Sequence, residues 1–239
     1  MIKQQVLHNF SKQAKQYDTH ASIQAYAAQR LAHLIALYPK PNSILEIGCG
    51  TGLLTRHLKD FNPDLYLVTD ISSTMIHQCR QAVPHNSFLV MDGELLALDC
   101  IFDLVISNFA FQWFNEIENS MLELLCYGRN LAFAVPGPAT FYQWCHLCES
   151  LNIESGIRPF LSFSDYQRIF NNFQVHHLSQ EFHTFTFPHW LKFWQSIKKI
   201  GGHTPHADYI PQNLNAIKSH LLKQEAVLTY EVIFGIIGH

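Results

Sequence analysis

At 239 residues, with 48% apolar, 13% aromatic and 15% charged side chains, the chain can bury a large core and lacks the composition of a disordered protein. A formal net charge of −3 excludes the broad basic footprint of a general nucleic-acid binder. No apolar run reaches the roughly 18 residues of a membrane span, and the polar, amphipathic start MIKQQVLHNFSKQAKQYD holds no secretory h-region. The six scattered cysteines are therefore expected as reduced thiols in a cytoplasmic protein.

Residues 3–37 carry the period of two helices. The second, from about Ser22, sets Ile23, Tyr26, Ala27, Arg30, Leu31, Leu34 and Ile35 on one repeat before Pro39 and Pro41 close it. Ser43–Ile47 is a short apolar run entering a glycine cluster, the mark of a buried strand. A helix is expected at Leu53–Lys59, a strand at Leu65–Thr69, and a helix at Ser72–Ala82 with Ser72 as its N-cap. Strands follow at Ser87–Met91 and Asp103–Ser107, then a helix at Glu116–Cys126 and a strand at Asn130–Val135. This alternation predicts a parallel sheet covered on both faces.

Past Pro138 the pattern loosens. Helices are expected at Thr140–Leu151, Ser164–Phe170, Trp190–Ile200 and Gln212–Lys223, with strand-like alternation over Phe173–Phe187 and a β-rich ending at Ala226–Ile237. With no repeat and no Pro/Gly/Ser-rich linker, the chain reads as one domain over 1–239. Its expected parts are N-terminal helices (1–40), a central α/β core (41–138), and a helical lid with the last strands (139–239).

The sharpest local feature is Leu45-Glu46-Ile47-Gly48-Cys49-Gly50-Thr51-Gly52, directly after the first strand. Tight turning and close approach to a ligand require glycine, and a helix opening at Gly52 would aim unpaired N–H groups at that ligand. A dinucleotide fold wants G-x-G-x-x-G around a pyrophosphate. Here the spacing is G-x-G-x-G with a carboxylate at Glu46, unfavourable beside pyrophosphate but apt beside the sulfonium and ammonium groups of S-adenosylmethionine. A carboxylate also closes each following strand. Asp70 stands in Val68-Thr69-Asp70-Ile71-Ser72, where an acceptor can bind two ribose hydroxyls. Asp92 stands in Val90-Met91-Asp92-Gly93-Glu94, where it can accept from an adenine amino group. Met75 reads equally as an adenine contact or as a core residue.

Over residues 43–135 these features resemble the class I S-adenosylmethionine-dependent methyltransferases. The resemblance implies a Rossmann-like α/β fold whose seven-stranded, mostly parallel sheet takes its last strand antiparallel. It implies cofactor contacts at Glu46, Gly48, Cys49, Gly50, Asp70, Ile71, Met75, Asp92, Gly93, Glu94 and Asn108.

Further blocks span nearly the whole chain: Asn9-Phe10-Ser11 with Tyr17-Asp18, His20-Ala21 and Gln24; Ser107 to Trp113; Ser196 to Gly202; and Leu228 to Ile237. Together they resemble the malonyl-[acyl-carrier protein] O-methyltransferase family. That resemblance implies methylation of the free carboxylate of malonyl-[acyl-carrier protein] or malonyl-CoA, which begins the pimeloyl chain of biotin, with S-adenosylhomocysteine as product. The block from Asn108 to Trp113 is shared with trans-aconitate methyltransferase-like enzymes, so another small acid stays open as acceptor. A carboxylate is ionised at neutral pH and needs no general base. Substrate orientation is expected from Tyr17, Gln112, Trp113 and Lys198, with Lys199, Arg158 and His203 as further candidates. Lys192, Lys198 and Lys199, near Trp190, Phe193 and Trp194, would steer an acidic carrier. No metal is expected, since Cys145-His146-Leu147-Cys148 lacks a second ligand pair. One departure from the family is Tyr127-Gly128-Arg129-Asn130, which lacks the usual proline before strand five.

Overall fold

The computed structural model describes residues 2–84, 86–206, 208–210, 221–222 and 225–239. Three helices open the chain: α1 (Ile2–Gln13), α2 (Tyr17–His20) and α3 (Ser22–Ile35). Then come β1 (Ser43–Ile47), β2 (Leu65–Asp70), α4 (Ser73–Ala82), β3 (Ser87–Val90), β4 (Phe102–Asn108), α5 (Ile117–Tyr127) and β5 (Gly128–Pro136). The remainder supplies α6 (Tyr142–Ser150), α7 (Phe163–Ile169), β6 (Gln174–Phe187), α8 (Trp190–Lys199) and β7 (Ala226–Gly238).

The strands form one sheet in the order β3-β2-β1-β4-β5-β7-β6. The first five run parallel, and β7 inserts antiparallel to both β5 and β6. Side chains alternate across each strand, so the apolar runs supply two cores at once. Ile44, Val68, Ile106, Ala134 and Phe234 pack with Ala27, Leu31 and Leu34 of α3. Leu45, Val105, Leu131, Phe133 and Ile233 pack with Met121, Leu124 and Leu125 of α5 and with α7. A third cluster joins α6, α8 and the start of β7 to Tyr17, Ala14 and Met75. Because β2 and β4 flank β1 on opposite sides, a crevice opens outside the strands' carboxyl ends, where such sheets bind ligands.

Two sequence expectations are corrected. The N-terminal segment forms three helices, since the chain turns at Ala14–Gln16 and restarts at Tyr17. Leu53–Lys59 is no α-helix: it makes tight three-residue bonds, His57 to Leu54 and Leu58 to Thr55, and forms short 3-10 turns at Thr55–His57 and Lys59–Phe61. Thr55 is fully buried with its hydroxyl on Glu46, and Asn62 ends the segment in the left-handed region, so tertiary anchoring overrides the helical pattern. The missing proline before β5 has a plain consequence too. Helix α5 passes into β5 with no loop, and Gly128 permits it, since a Cβ there would meet Val105 at 2.5 Å. The helix expected at Gln212–Lys223 lies outside the described residues except for Leu221 and Leu222. Among the described residues, no helix is long and apolar enough to cross a membrane.

Candidate active site

The glycine loop leaves β1 with positive φ at Gly48 (70°), Gly50 (55°) and Gly52 (87°). A Cβ on Gly48 would lie 2.4 Å from that of Ala110, whereas above Gly50 the space is open. Asp70, at the end of β2, reaches back under this loop. Its Oδ2 accepts from the Gly50 N–H at 2.9 Å and its Oδ1 from the Ser72 N–H at 2.8 Å, while the Ser72 hydroxyl caps α4 by accepting from the Met75 N–H. Burial pushes the Asp70 carboxyl up to about 6, against the pull of those two N–H groups. A buried carboxylate held by backbone and facing no cation is a receiver for hydroxyl donors. A ribose diol meets that requirement, and the open space over Gly50 suits a close-lying ligand.

Glu46 lines the same crevice, but its carboxylate is engaged elsewhere. Its Oε2 accepts from the Tyr66 hydroxyl at 2.6 Å and the Thr55 hydroxyl at 2.8 Å. Burial raises it to about 7, with those hydroxyls pulling it down and Asp70 pushing it up. Cys49, Ile71, Met75, Gly93 and Asn108 also line the crevice. The Cys49 thiol is raised well above its usual range by burial, so it is an inert wall rather than a nucleophile. Asn108 donates from Nδ2 to the Gln24 carbonyl at 3.1 Å.

Glu94, expected among the cofactor contacts, turns its carboxylate towards α5. Its carboxylate accepts from the N–H groups of Asn115 (2.7 Å) and Glu116 (3.0 Å) at the start of α5, and it is not among the crevice-lining residues. The loop after β3 turns it there because four unpaired N–H groups at a helix start attract a carboxylate. Asp92 does line the crevice and accepts from the Glu94 N–H.

Lys3 of α1 was not expected at all. Its ammonium meets Asp92 at 2.5 Å and Glu94 at 2.6 Å, and with Val6, Leu7 and Phe10 it covers the crevice from outside. The Ser11 and Ser72 hydroxyls lie 2.8 Å apart, and Asn9 donates to Thr204 at 2.9 Å, fixing the rest of α1. Only the amphipathic spacing of Val6, Leu7 and Phe10 hints at this cover in the sequence. Tyr17, buried between Asp18 and Asp70 with its hydroxyl pushed far above its usual range by burial, lines the crevice too.

Beyond the crevice lies a second cavity of about 430 Å³, and Phe109 and Trp113 line both. Phe109 holds a positive φ of 55°, a strained conformation at the joint between them. Gln112, Lys198, Arg158 and His203 line this chamber together with Phe141, Trp144, Trp194 and Tyr230. Gln112 donates to the Phe109 carbonyl at 2.7 Å. Arg158 is half-buried, its guanidinium 5.5 Å from the centre of the Trp113 ring, while Lys198 is exposed at the rim. Lys192 and Lys199 are exposed on the same helix and line neither cavity. Among the described residues, no cluster of three metal-ligating side chains occurs.

Sheet order, antiparallel last strand, glycine loop and strand-end carboxylates define a class I S-adenosylmethionine-dependent methyltransferase. Residues 45–125 match the family model of a methyltransferase domain. The chain is 30% identical to malonyl-[acyl-carrier protein] O-methyltransferase of Acetivibrio thermocellus, across the whole of this chain and 90% of that one. It is 32% identical to the Priestia megaterium enzyme of the same name, over 84% of this chain and 82% of the relative. It belongs to the malonyl-[acyl-carrier protein] O-methyltransferase family. In fold alone it is similar to magnesium protoporphyrin IX methyltransferase of Synechocystis, with a TM-score of 0.57 at 16% identity over 94% of this chain and 86% of that one.

Proposed function

We propose that this protein transfers the methyl group of S-adenosylmethionine to the free carboxylate of malonyl-[acyl-carrier protein] or malonyl-CoA, the first step in building biotin's pimeloyl chain. The observation that carries this reading is the second cavity, which adjoins the cofactor crevice through Trp113 and is lined by cationic side chains. The similarity to malonyl-[acyl-carrier protein] O-methyltransferases extends over that acceptor-side region as well.

Bound S-adenosylmethionine supplies an electrophilic methyl group on a sulfonium. The chain's own task is to hold and exclude. Asp70 would take the ribose hydroxyls, Asp92 the adenine edge, and the loop at Gly48–Gly50 the methionine portion. Helix α1 and Tyr17 close the crevice against water. The acceptor carboxylate arrives ionised, so no side chain has to remove a proton. The gain in rate comes from fixing the attacking oxygen in line with the methyl group.

The test is methyl transfer in vitro to malonyl-[acyl-carrier protein] and malonyl-CoA, paired with rescue of a biotin auxotroph lacking this step. Transfer and rescue are the expected result. Tight S-adenosylhomocysteine binding with neither transfer nor rescue would remove the malonyl acceptor and leave another small acid.

A further inference from the structure

The geometry points to Arg158 as the group that anchors the acceptor's carboxylate, making the chamber selective for acyl chains that end in a free acid. This rests on the reading of the chamber as the acceptor site.

Among the described residues, Arg158, Lys198 and Glu154 bring charge to the chamber lining, while burial lowers the His203 imidazole towards its neutral form. Glu154 is already taken, its carboxylate 2.8 Å from His206 Nε2. Arg158 Nη1 is buried without a hydrogen-bond partner, and no carboxylate pairs with the guanidinium among the described residues. Glu94, the anion whose field it feels, spends its oxygens on Lys3, Asn115 and Glu116. A buried guanidinium with an unused donor is costly unless an acceptor arrives. Other buried polar atoms of chamber-lining residues also lack partners, including Gln112 Oε1, Trp194 Nε1 and His203 Nδ1, so the site as a whole awaits a polar guest.

Position selects Arg158 over Lys198. Its guanidinium lies over the Trp113 ring, 5.5 Å from the ring centre, on the wall shared with the crevice, so an oxyanion held there lies beside the bound cofactor. The planar guanidinium fork matches a carboxylate, which a lysine ammonium does not. Lys198 sits exposed at the rim and suits the carrier instead. The pairing also directs turnover. Methylation removes the oxyanion, and the neutral ester leaves Arg158 without a counter-charge, so the product is expelled and does not rebind.

The experiment compares wild type, Arg158→Gln and Arg158→Lys in methyl transfer to malonyl-[acyl-carrier protein], to malonyl-CoA and to a panel of free carboxylic acids, with S-adenosylhomocysteine affinity measured calorimetrically in each. Arg158→Gln should raise KM for malonyl-CoA about a hundred-fold, Arg158→Lys should recover part of it, and S-adenosylhomocysteine affinity should stay within about two-fold, since Arg158 does not line the crevice. Unchanged KM and kcat in Arg158→Gln would overturn the assignment while leaving the malonyl reading intact. So would loss of S-adenosylhomocysteine binding in both variants, which would mark a structural role. If wild type ignores both malonyl thioesters but methylates another acid in an Arg158-dependent way, the malonyl reading falls and the anchor stands. If wild type methylates no carboxylic acid, both fall.

Discussion

The crevice at the ends of β1 to β3 and the chamber behind Trp113 share a wall yet hold their charged groups differently. In the crevice the carboxylates are already held: Asp70 by the Gly50 and Ser72 N–H groups, Asp92 by Lys3, Glu46 by two hydroxyls. In the chamber, donors and acceptors on Arg158, Gln112, Trp194 and His203 stand without partners. The crevice rests on the parallel strands β1, β2 and β3, paired in fixed register, so its carboxylates are organised before any ligand arrives. The chamber is assembled from the segment after β4, from α6 and α8 and from the loops that follow each of those helices, and we infer that Arg158 completes its bonding with the acceptor. A shared cofactor calls for a rigid site, whereas acceptor choice is left to groups that only the right acceptor satisfies.

The most damaging way to break this contrast is Gly48→Ala. The left-handed φ and the 2.4 Å overlap with Ala110 should together cost about 3 kcal/mol. Melting should fall by roughly 6–12 °C and S-adenosylhomocysteine binding should be lost. Thermal unfolding and calorimetry check this, and a variant that melts and binds like wild type would mean the loop has slack.

Asp70→Ala comes next, with a loss of about 1.5–3 kcal/mol in cofactor affinity, at least ten-fold. Unchanged affinity would show that the carboxylate serves the loop alone.

Solution pH sharpens the same point. Asp70 is raised to about 6 in the folded protein, so at pH 5 it is mostly protonated and accepts poorly. Hydroxyl donors stabilise its ionised form, so binding should release a proton at acidic pH. S-adenosylhomocysteine affinity should then climb by about ten-fold from pH 5 to pH 7 and level off above that. A flat profile across that range would disconnect Asp70 from the ligand. The linkage runs the other way for the protein without ligand. Raised carboxyls at Asp70 and Glu46 contribute stability below their ordinary values, and it is lost as pH rises through about 6 to 7.

The smallest effect belongs to the rim. Lys198→Gln should raise KM for malonyl-[acyl-carrier protein] by roughly two- to five-fold at low salt, and barely at high salt, because an exposed charge steers rather than anchors. Its effect on malonyl-CoA should be slight. A loss as large as that expected for Arg158→Gln would move the anchor to Lys198.

How much of this was readable beforehand follows the range of each interaction. Gly48, Gly50 and Asp70 were legible because a positive φ and a strand-end acceptor are local demands that only certain residues meet. The parallel sheet followed from the alternation of elements, and its antiparallel closing strand from the family resemblance. The turns at Thr55–His57 were not legible, since the Thr55 bond to Glu46 depends on β1 lying beneath. Nor was the destination of Glu94, whose partners lie at the start of α5, or the Lys3 contact with Asp92, which spans 89 positions. Nor does the sequence separate Lys198 from Arg158, since both are cations there, and their difference in burial appears only in the fold.

The amino-acid order by itself determined where the backbone turns, which strand ends carry acceptors, and hence the kind of cofactor. Those properties depend on steric freedom and hydrogen-bonding capacity carried by individual residues and their near neighbours. The tertiary structure alone decided which charges are left unpaired, because that depends on what distant segments bring alongside and how far they shut out water.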